Sequence, residues 1–202
     1  MCKTDFKQFL TERRLARLEA TLSRRQPDLT VVLENINDPH NVSAALRSCD
    51  AVGVYEACLL YYGAQKFPKL GEASSASARK WVAQKRFSSV DECYADLRKR
   101  GMKIYTTHMS RDAVSLYDLD LTQPVALVFG NEHAGVSEEA AELADANFLI
   151  PQVGMIQSLN ISVACAVSLY EAYRQRERAG AYETKKFDDE SYARLLDDWS
   201  RI

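Results

Sequence analysis

The chain has 202 residues, 47% hydrophobic and 27% charged, the make-up of a globular protein able to bury a real core in one main domain. A net charge of −2 excludes a uniformly basic nucleic-acid binder, yet the charge is uneven: between Lys66 and Arg86 there are six basic residues against one acidic. Five cysteines show neither C-x-x-C nor zinc spacing, and no signal peptide or membrane-length apolar run is present, so the reading is a reduced, cytoplasmic protein with no metal and no membrane partner.

The first periodic segment, residues 5–24, reads as a helix with Leu15, Leu18 and Leu22 on one side and Arg13, Arg17 and Arg24 on another. Pro27-Asp28 ends it. Residues 29–33 read as a strand that runs into the polar loop Glu34 to His40. Residues 41–50 read as a short helix, with Val42, Ala45, Leu46 and Cys49 inward and Arg47 grouped with Ser43 and Asp50 on the opposite side. Residues 57–62 give a second strand and 81–87 a third, joined by a Gly-, Ala- and Ser-rich loop. A helix over 91–100 stops at Gly101, and strands follow at 103–107 and 125–129. The turn Gly130-Asn-Glu-His-Ala-Gly135 comes next, and Ser137 begins another helix. A last strand, 148–150, meets Pro151. From Ser158 onward a long helix is apolar on nearly every face, so its burial is expected on all sides. Strands alternating with helices imply an α/β fold with a mainly parallel sheet covered on both faces. Ligands of such sheets bind beyond the carboxyl ends of the strands.

Several chemistries fall away. There is no G-x-G-x-x-G after a strand, no phosphate-binding G-x-x-x-x-G-K-[ST] and no G-x-S-x-G elbow. Three histidines (40, 108 and 133) are scattered without metal-ligand spacing. His133 stands beside Glu132 within reach of base chemistry, although a lone loop histidine is ordinarily a solvated side chain. Glu132 lies between two glycines that permit tight turns and close approach to a ligand. Arg47 projects from a helix beside the first strand, with pairing to Asp50 or Glu34 as the purely structural alternative.

Three segments, 34–47 (ENINDPHNVSAALR), 127–137 (LVFGNEHAGVS) and 150–162 (IPQVGMIQSLNIS), together resemble the TrmH/SpoU family of RNA ribose methyltransferases, within the SPOUT class. Their order and spacing match, and the similarity spans essentially the whole chain. The flanks, Arg25-Gln-Pro-Asp-Leu-Thr30 and Tyr170-Glu-Ala-Tyr-Arg-Gln-Arg176, are most similar to the subgroup that methylates the ribose of D-loop guanosine 18 in tRNA. The resemblance implies a deep C-terminal trefoil knot, with a helical extension at 1–26, a methyltransferase domain at 27–178 and a second helical extension at 179–202. It also implies S-adenosylmethionine as cofactor, tRNA as partner and a homodimer with active sites at the subunit interface.

Position by position, the resemblance places Thr107, Gly130, Ile150 and Leu159 in the cofactor pocket. Arg47, Asn41, Glu132, Ser158 and Asn160 form its catalytic set: Asn41 fixes the first loop, while Glu132, Ser158 and Asn160 orient Arg47 and the ribose. Family accounts give proton removal to Arg47. Because a guanidinium stays protonated, a role bridging phosphate and the developing alkoxide suits it better. Arg13, Arg17, Arg174 and Arg176 are expected to grip RNA phosphates. Two departures stand out: Gln152 where methionine is common, and the absence of a basic residue at Asn37-Asp38. The rival readings are 2′-O-methylation of ribosomal RNA or of the tRNA anticodon loop, and a knotted RNA-binding factor without catalysis.

Overall fold

The computed structural model describes residues 7, 10–67, 78–108, 112–156 and 158–201. Its centre is a parallel sheet of seven strands: β1 (Leu29–Glu34), β2 (Glu56–Leu60), β3 (Ala83–Phe87), β4 (Lys103–Thr107), β5 (Val114–Ser115), β6 (Val125–Phe129) and β7 (Ala146–Leu149). They lie in the order β3-β2-β1-β6-β4-β7-β5. Every residue of β1 and β6 is buried, which is why neither alternates between polar and apolar positions, β6 being apolar throughout and β1 apolar but for Thr30 and Glu34. Val32 of β1 faces Val128 of β6 in register, so both strands deliver their carboxyl ends to one edge.

The described residues form six α-helices: α1 (Glu12–Ser23), α2 (Pro39–Ala51), α3 (Val90–Lys99), α4 (Glu138–Glu142), α5 (Ile161–Arg178) and α6 (Asp189–Ser200). On one face, Leu46 and Cys49 of α2 with Cys165 and Leu169 of α5 pack over Val31, Leu33, Leu59 and Leu127. On the other, Tyr94 and Leu97 of α3 with Ala140 of α4 pack over Val32, Cys58, Ala126 and Val128. Each such fully buried aliphatic side chain contributes about 1.5–3 kcal/mol. A third cluster joins the two ends of the chain: α1 packs on α6, and Leu18 and Leu22 meet Leu196 and Trp199. Trp81 closes that cluster edge-on against Trp199 at 5.3 Å.

The helix starts follow from local chemistry. Asp38 caps α2, its Oδ1 accepting from His40 N at 2.8 Å, and Pro39 occupies the first turn, where a missing N–H costs nothing. Ser137 caps α4 and Asn160 caps α5 in the same way.

Several expectations change. Among the described residues the first helix begins at Glu12 behind its Thr11 cap; residues 5, 6, 8 and 9 lie outside the described residues. The two-residue β5 is too short to leave a sequence pattern, and the last strand occupies 146–149 instead of 148–150. Ser43, grouped with the polar side of α2, is buried. The long helix opens at Ile161, not Ser158, and it is not enclosed all round: Val163 and Tyr170 are 47% and 54% exposed. A single chain buries only the face that carries Ile161, Cys165, Leu169 and Ala172.

Candidate active site

The carboxyl ends of β4, β6 and β7 open onto a cavity of about 1000 Å³ roofed by Ile150, Gln152, Gly154, Ile156, Ser158, Leu159 and Asn160 and by the first turn of α5. The turn after β6 is its most constrained wall. A Cβ on Gly130 would lie 2.1 Å from both the carbonyl carbon of Gly135 and the nitrogen of Val136, so no other residue fits. Asn131 and Gly135 exchange backbone hydrogen bonds of 2.9 Å in both directions, and Gly135 holds a left-handed φ of +73°. The Asn131 side chain finishes the turn. Its Oδ1 accepts from His133 N at 2.9 Å and Ala134 N at 3.1 Å, while its Nδ2 donates to Asn35 O at 2.7 Å. The loop is therefore shaped before any ligand arrives.

Side chains from three distant segments meet above it. Glu132 accepts from Asn41 Nδ2 at 2.9 Å and from the backbone N–H groups of Asn37 at 3.1 Å and Asp38 at 3.3 Å. Asn160 Nδ2 in turn donates to Asn41 Oδ1 at 3.2 Å. Burial alone would raise the Glu132 carboxyl. Hydrogen bonds from Asn41 and from the backbone of Glu132, Asn37 and Asp38 outweigh it and hold the group below its ordinary value. A second carboxylate runs the other way. Glu34, buried at the end of β1, accepts from Ser137 N at 3.1 Å and from the Tyr62 hydroxyl. Burial, together with the bond to Glu34, pushes that phenol up to about 12. Each loop thus grips the other through a carboxylate.

All four residues expected around the cofactor, Thr107, Gly130, Ile150 and Leu159, line the cavity. Thr107 Oγ1 donates to Val128 O at 3.1 Å, so its hydroxyl proton is committed to the sheet. Phe129 and Phe148, edge to face at 6.4 Å, contribute apolar wall. Ser158 lines the rim, with no hydrogen-bond partner among the described residues. His108 and His133 also line the cavity, which their scattered positions in sequence did not suggest.

The expected catalytic set does not gather as one cluster. Glu132 and Asn160 hold Asn41; neither contacts Arg47 among the described residues. Arg47 is exposed, has no hydrogen-bond or ion-pair partner there, and is not part of the cavity wall. The alternative partners are occupied elsewhere, Asp50 by Arg25 and Glu34 by Tyr62 and Ser137. The expected RNA-gripping arginines also divide. Arg13 and Arg17 stand exposed on α1, and exposed Arg174 is braced by Glu171 through bonds of 2.8 and 2.6 Å.

Arg176 is a correction. It is 0% exposed and donates to Leu121 O, Gln26 Oε1, Asp28 Oδ1, Asp28 O and Gln123 O at 2.6–3.1 Å. Every guanidinium nitrogen is spent on tying α5 to the start of β1 and the approach to β6. A cation so enclosed is a structural lock, with no donor left for a phosphate. What sequence reasoning missed is the contacts of Asn131, Asn35, Glu34 and Tyr62, which join positions 27 to 103 residues apart along the chain.

A model of the SpoU rRNA Methylase family matches residues 28–170. The chain is 48% identical over 191 residues to the tRNA (guanosine(18)-2′-O)-methyltransferase of Thermus thermophilus, covering 95% of this chain and 97% of that one. Among solved structures, the A. aeolicus TrmH/SpoU tRNA modifying enzyme superposes with a TM-score of 0.86 at 41% identity, covering 94% of this chain and 96% of that one. The SpoU methyltransferase AviRb from Streptomyces viridochromogenes, in complex with its cofactor AdoMet, gives 0.66 at 28% identity, over 78% and 61% of the respective chains. A glycine-walled cavity beyond the parallel strands, these sequence matches and the shared fold agree: the chain belongs to the SpoU methylase family.

Proposed function

We propose that this protein transfers a methyl group from S-adenosylmethionine to the ribose 2′-hydroxyl of guanosine 18 in the D-loop of tRNA. The observation that carries the reading is the cavity beyond β4, β6 and β7, tied to Asn41 by Glu132 and Asn160 in a chain whose near relatives are named for that reaction. The cofactor fits the residues present. Gly130 leaves backbone where a side chain would stand, Ile150 and Leu159 give apolar contact, and the 131–135 turn, whose N–H groups are taken up within it, leaves main-chain carbonyl oxygens as acceptors. When bound, S-adenosylmethionine supplies a methyl group already activated on sulfonium, so the protein's task is mostly alignment, worth about 7–11 kcal/mol.

The chain's own residues divide that task. The Gly130–Gly135 turn and Thr107 shape the pocket, and the Glu132–Asn41–Asn160 chain fixes the loop that leads into α2. Ser158 faces the open side of the cavity, where a ribose enters. Arg47 stabilises the developing alkoxide and an adjoining phosphate, while water or another group takes up the proton that the 2′-hydroxyl releases.

Since Arg47 lies outside the cavity wall of its own chain, the reading includes a homodimer in which the second copy brings the guanidinium in. Support comes from the apolar surface beside the cavity, where Val153, Met155, Ile156 and Val163 are all exposed. The reading also includes the trefoil knot. In the sheet, β7 enters between β4 and β5, both of which precede it in sequence. The α1–α6 pair, from the extensions at 1–26 and 179–202, presents Arg13 and Arg17 to tRNA, and Arg174 adds a third contact. The setting is cytoplasmic. No helix among the described residues is long and apolar enough to cross a membrane, and no three of their His, Cys, Asp and Glu side chains gather as a set of metal ligands.

The deciding experiment incubates the protein with labelled cofactor and transcripts of tRNA and ribosomal RNA, then maps the modified nucleotide. Label on the 2′-oxygen of guanosine 18 is the expected result. Label at another RNA position, or binding without transfer, rejects the assignment in favour of the corresponding rival.

A further inference from the structure

Arg86 sits at the carboxyl end of the edge strand β3, in register with Leu59 of β2. Leu59 belongs to the cluster under α2 and α5, so Arg86 projects on the same face of the sheet as α2. Its neighbour Lys85 is paired with Asp96 at 2.6 Å, but Arg86 has no carboxylate among the described residues. Its guanidinium instead lies 5.0 Å from the ring centroid of Phe67. Phe67 is half-buried and leans on Tyr61 at 5.3 Å between centroids. The Tyr61 hydroxyl donates to Ile36 O at 2.9 Å, inside the loop that also carries Asn37 and Asp38.

A stacked chain, Arg86–Phe67–Tyr61, therefore runs from the edge strand to the loop that Glu132 clasps. With strands about 4.8 Å apart, β3 lies about 10 Å from β1 along the same sheet edge. Lys66, next to Phe67 in the chain, is exposed and also lacks an acidic partner among the described residues.

We infer that Arg86, held on Phe67, is a docking point for the RNA backbone flanking the target nucleotide, with Lys66 as a supporting charge. A guanidinium held over an aromatic ring loses little freedom on binding, presents a fork that matches phosphate, and stays charged at any working pH. RNA suits this surface better than an acidic protein segment because the patch lies on the edge where the target ribose must enter. The inference rests on the RNA-modifying reading above, and binding measurements separate its fate from that reading.

The test is equilibrium binding of an unmodified tRNA transcript to full-length protein between about 50 and about 200 mM salt. Arg86→Ala is expected to weaken binding several-fold and to make the log–log salt slope shallower by about 0.7–0.9, the signature of one lost phosphate contact. Arg86→Lys should recover most of the slope, whereas Arg86→Glu should weaken binding further. Calorimetry with S-adenosylmethionine alone, unchanged across the three variants, shows that the cavity remains folded. An Arg86→Ala protein with the wild-type slope and affinity overturns the inference, as does wild-type protein that binds no tRNA. If the slope falls as expected but no methyl group reaches guanosine 18, the docking point stands and the proposed reaction does not.

Discussion

Replacing Glu132 by glutamine isolates the clasp between the two loops while keeping the size of the side chain. In the wild type, Oε1 accepts from Asn41 Nδ2 and Asp38 N, and Oε2 accepts from Asn37 N. Glutamine offers one oxygen, so an amide NH₂ must face a backbone N–H or the Asn41 amide, and the remaining bonds lose their ionic character. A hydrogen bond to a charged group contributes about 1.5–3 kcal/mol. Asn37 and Asp38 are exposed and water replaces part of what is lost, so the low end applies, about 1.5 kcal/mol. Should that energy be what keeps Asn41 and α2 aligned with the cavity, kcat falls about tenfold, at about 1.4 kcal/mol per decade.

The assay is single-turnover methyl transfer at saturating tRNA and cofactor, alongside amide hydrogen exchange at residues 37 and 38. Exchange there should quicken while cofactor affinity holds, because the Gly130–Gly135 turn keeps its own backbone bonds. Acid gives an independent check. The wild-type carboxyl titrates below its ordinary value of 4.5, so the clasp is complete above that pH and is lost as pH falls through the lower folded value. The glutamine variant should show no such loss. A variant with wild-type turnover and unchanged exchange at 37 and 38 would refute the reasoning.

Three further outcomes are expected. Gly130→Ala puts a methyl group 2.1 Å from the Gly135–Val136 peptide, so cofactor binding measured by calorimetry should vanish, with a lower melting temperature; a normal titration would show that the turn can yield. Arg47→Lys keeps the charge but loses the planar fork, and near-complete loss of methyl transfer with cofactor binding retained is predicted; normal turnover rejects the role given to Arg47. Arg176→Ala strips the partner from Asp28 and three carbonyls, which should cost about 3–5 kcal/mol of stability by denaturant titration, whereas RNA affinity per folded molecule stays constant. A stable Arg176→Ala protein with weakened RNA binding would return that arginine to the RNA surface.

Much of the framework was legible in the chain itself. The strands at 29–33 and 125–129 are legible as largely apolar runs and Ser137 marks a helix start, because capping and burial on both faces are local demands on residue type, whereas Asp38-Pro39, read as loop, proves to open α2. The Gly130–Gly135 turn was legible for a similar reason: only glycine tolerates the approach of backbone to backbone at its first position. The two-residue β5 left no pattern, and Arg174 and Arg176 look alike on the page. Their fates part only because α5 turns Arg176 into the core beside Asp28 and leaves Arg174 outside against Glu171.

Tertiary structure alone decided which carboxylate holds which loop. Glu34 reaches Ser137 and Glu132 reaches Asn41 across contacts of 103 and 91 residues. Such pairings depend on strand order, and strand order is set by the packing of the whole core, not by any local preference. Sequence determined where the loops begin and which residues can turn there. Only the assembled sheet determined that they meet, and that Arg47 stands outside the cavity to whose wall its loop is hydrogen-bonded.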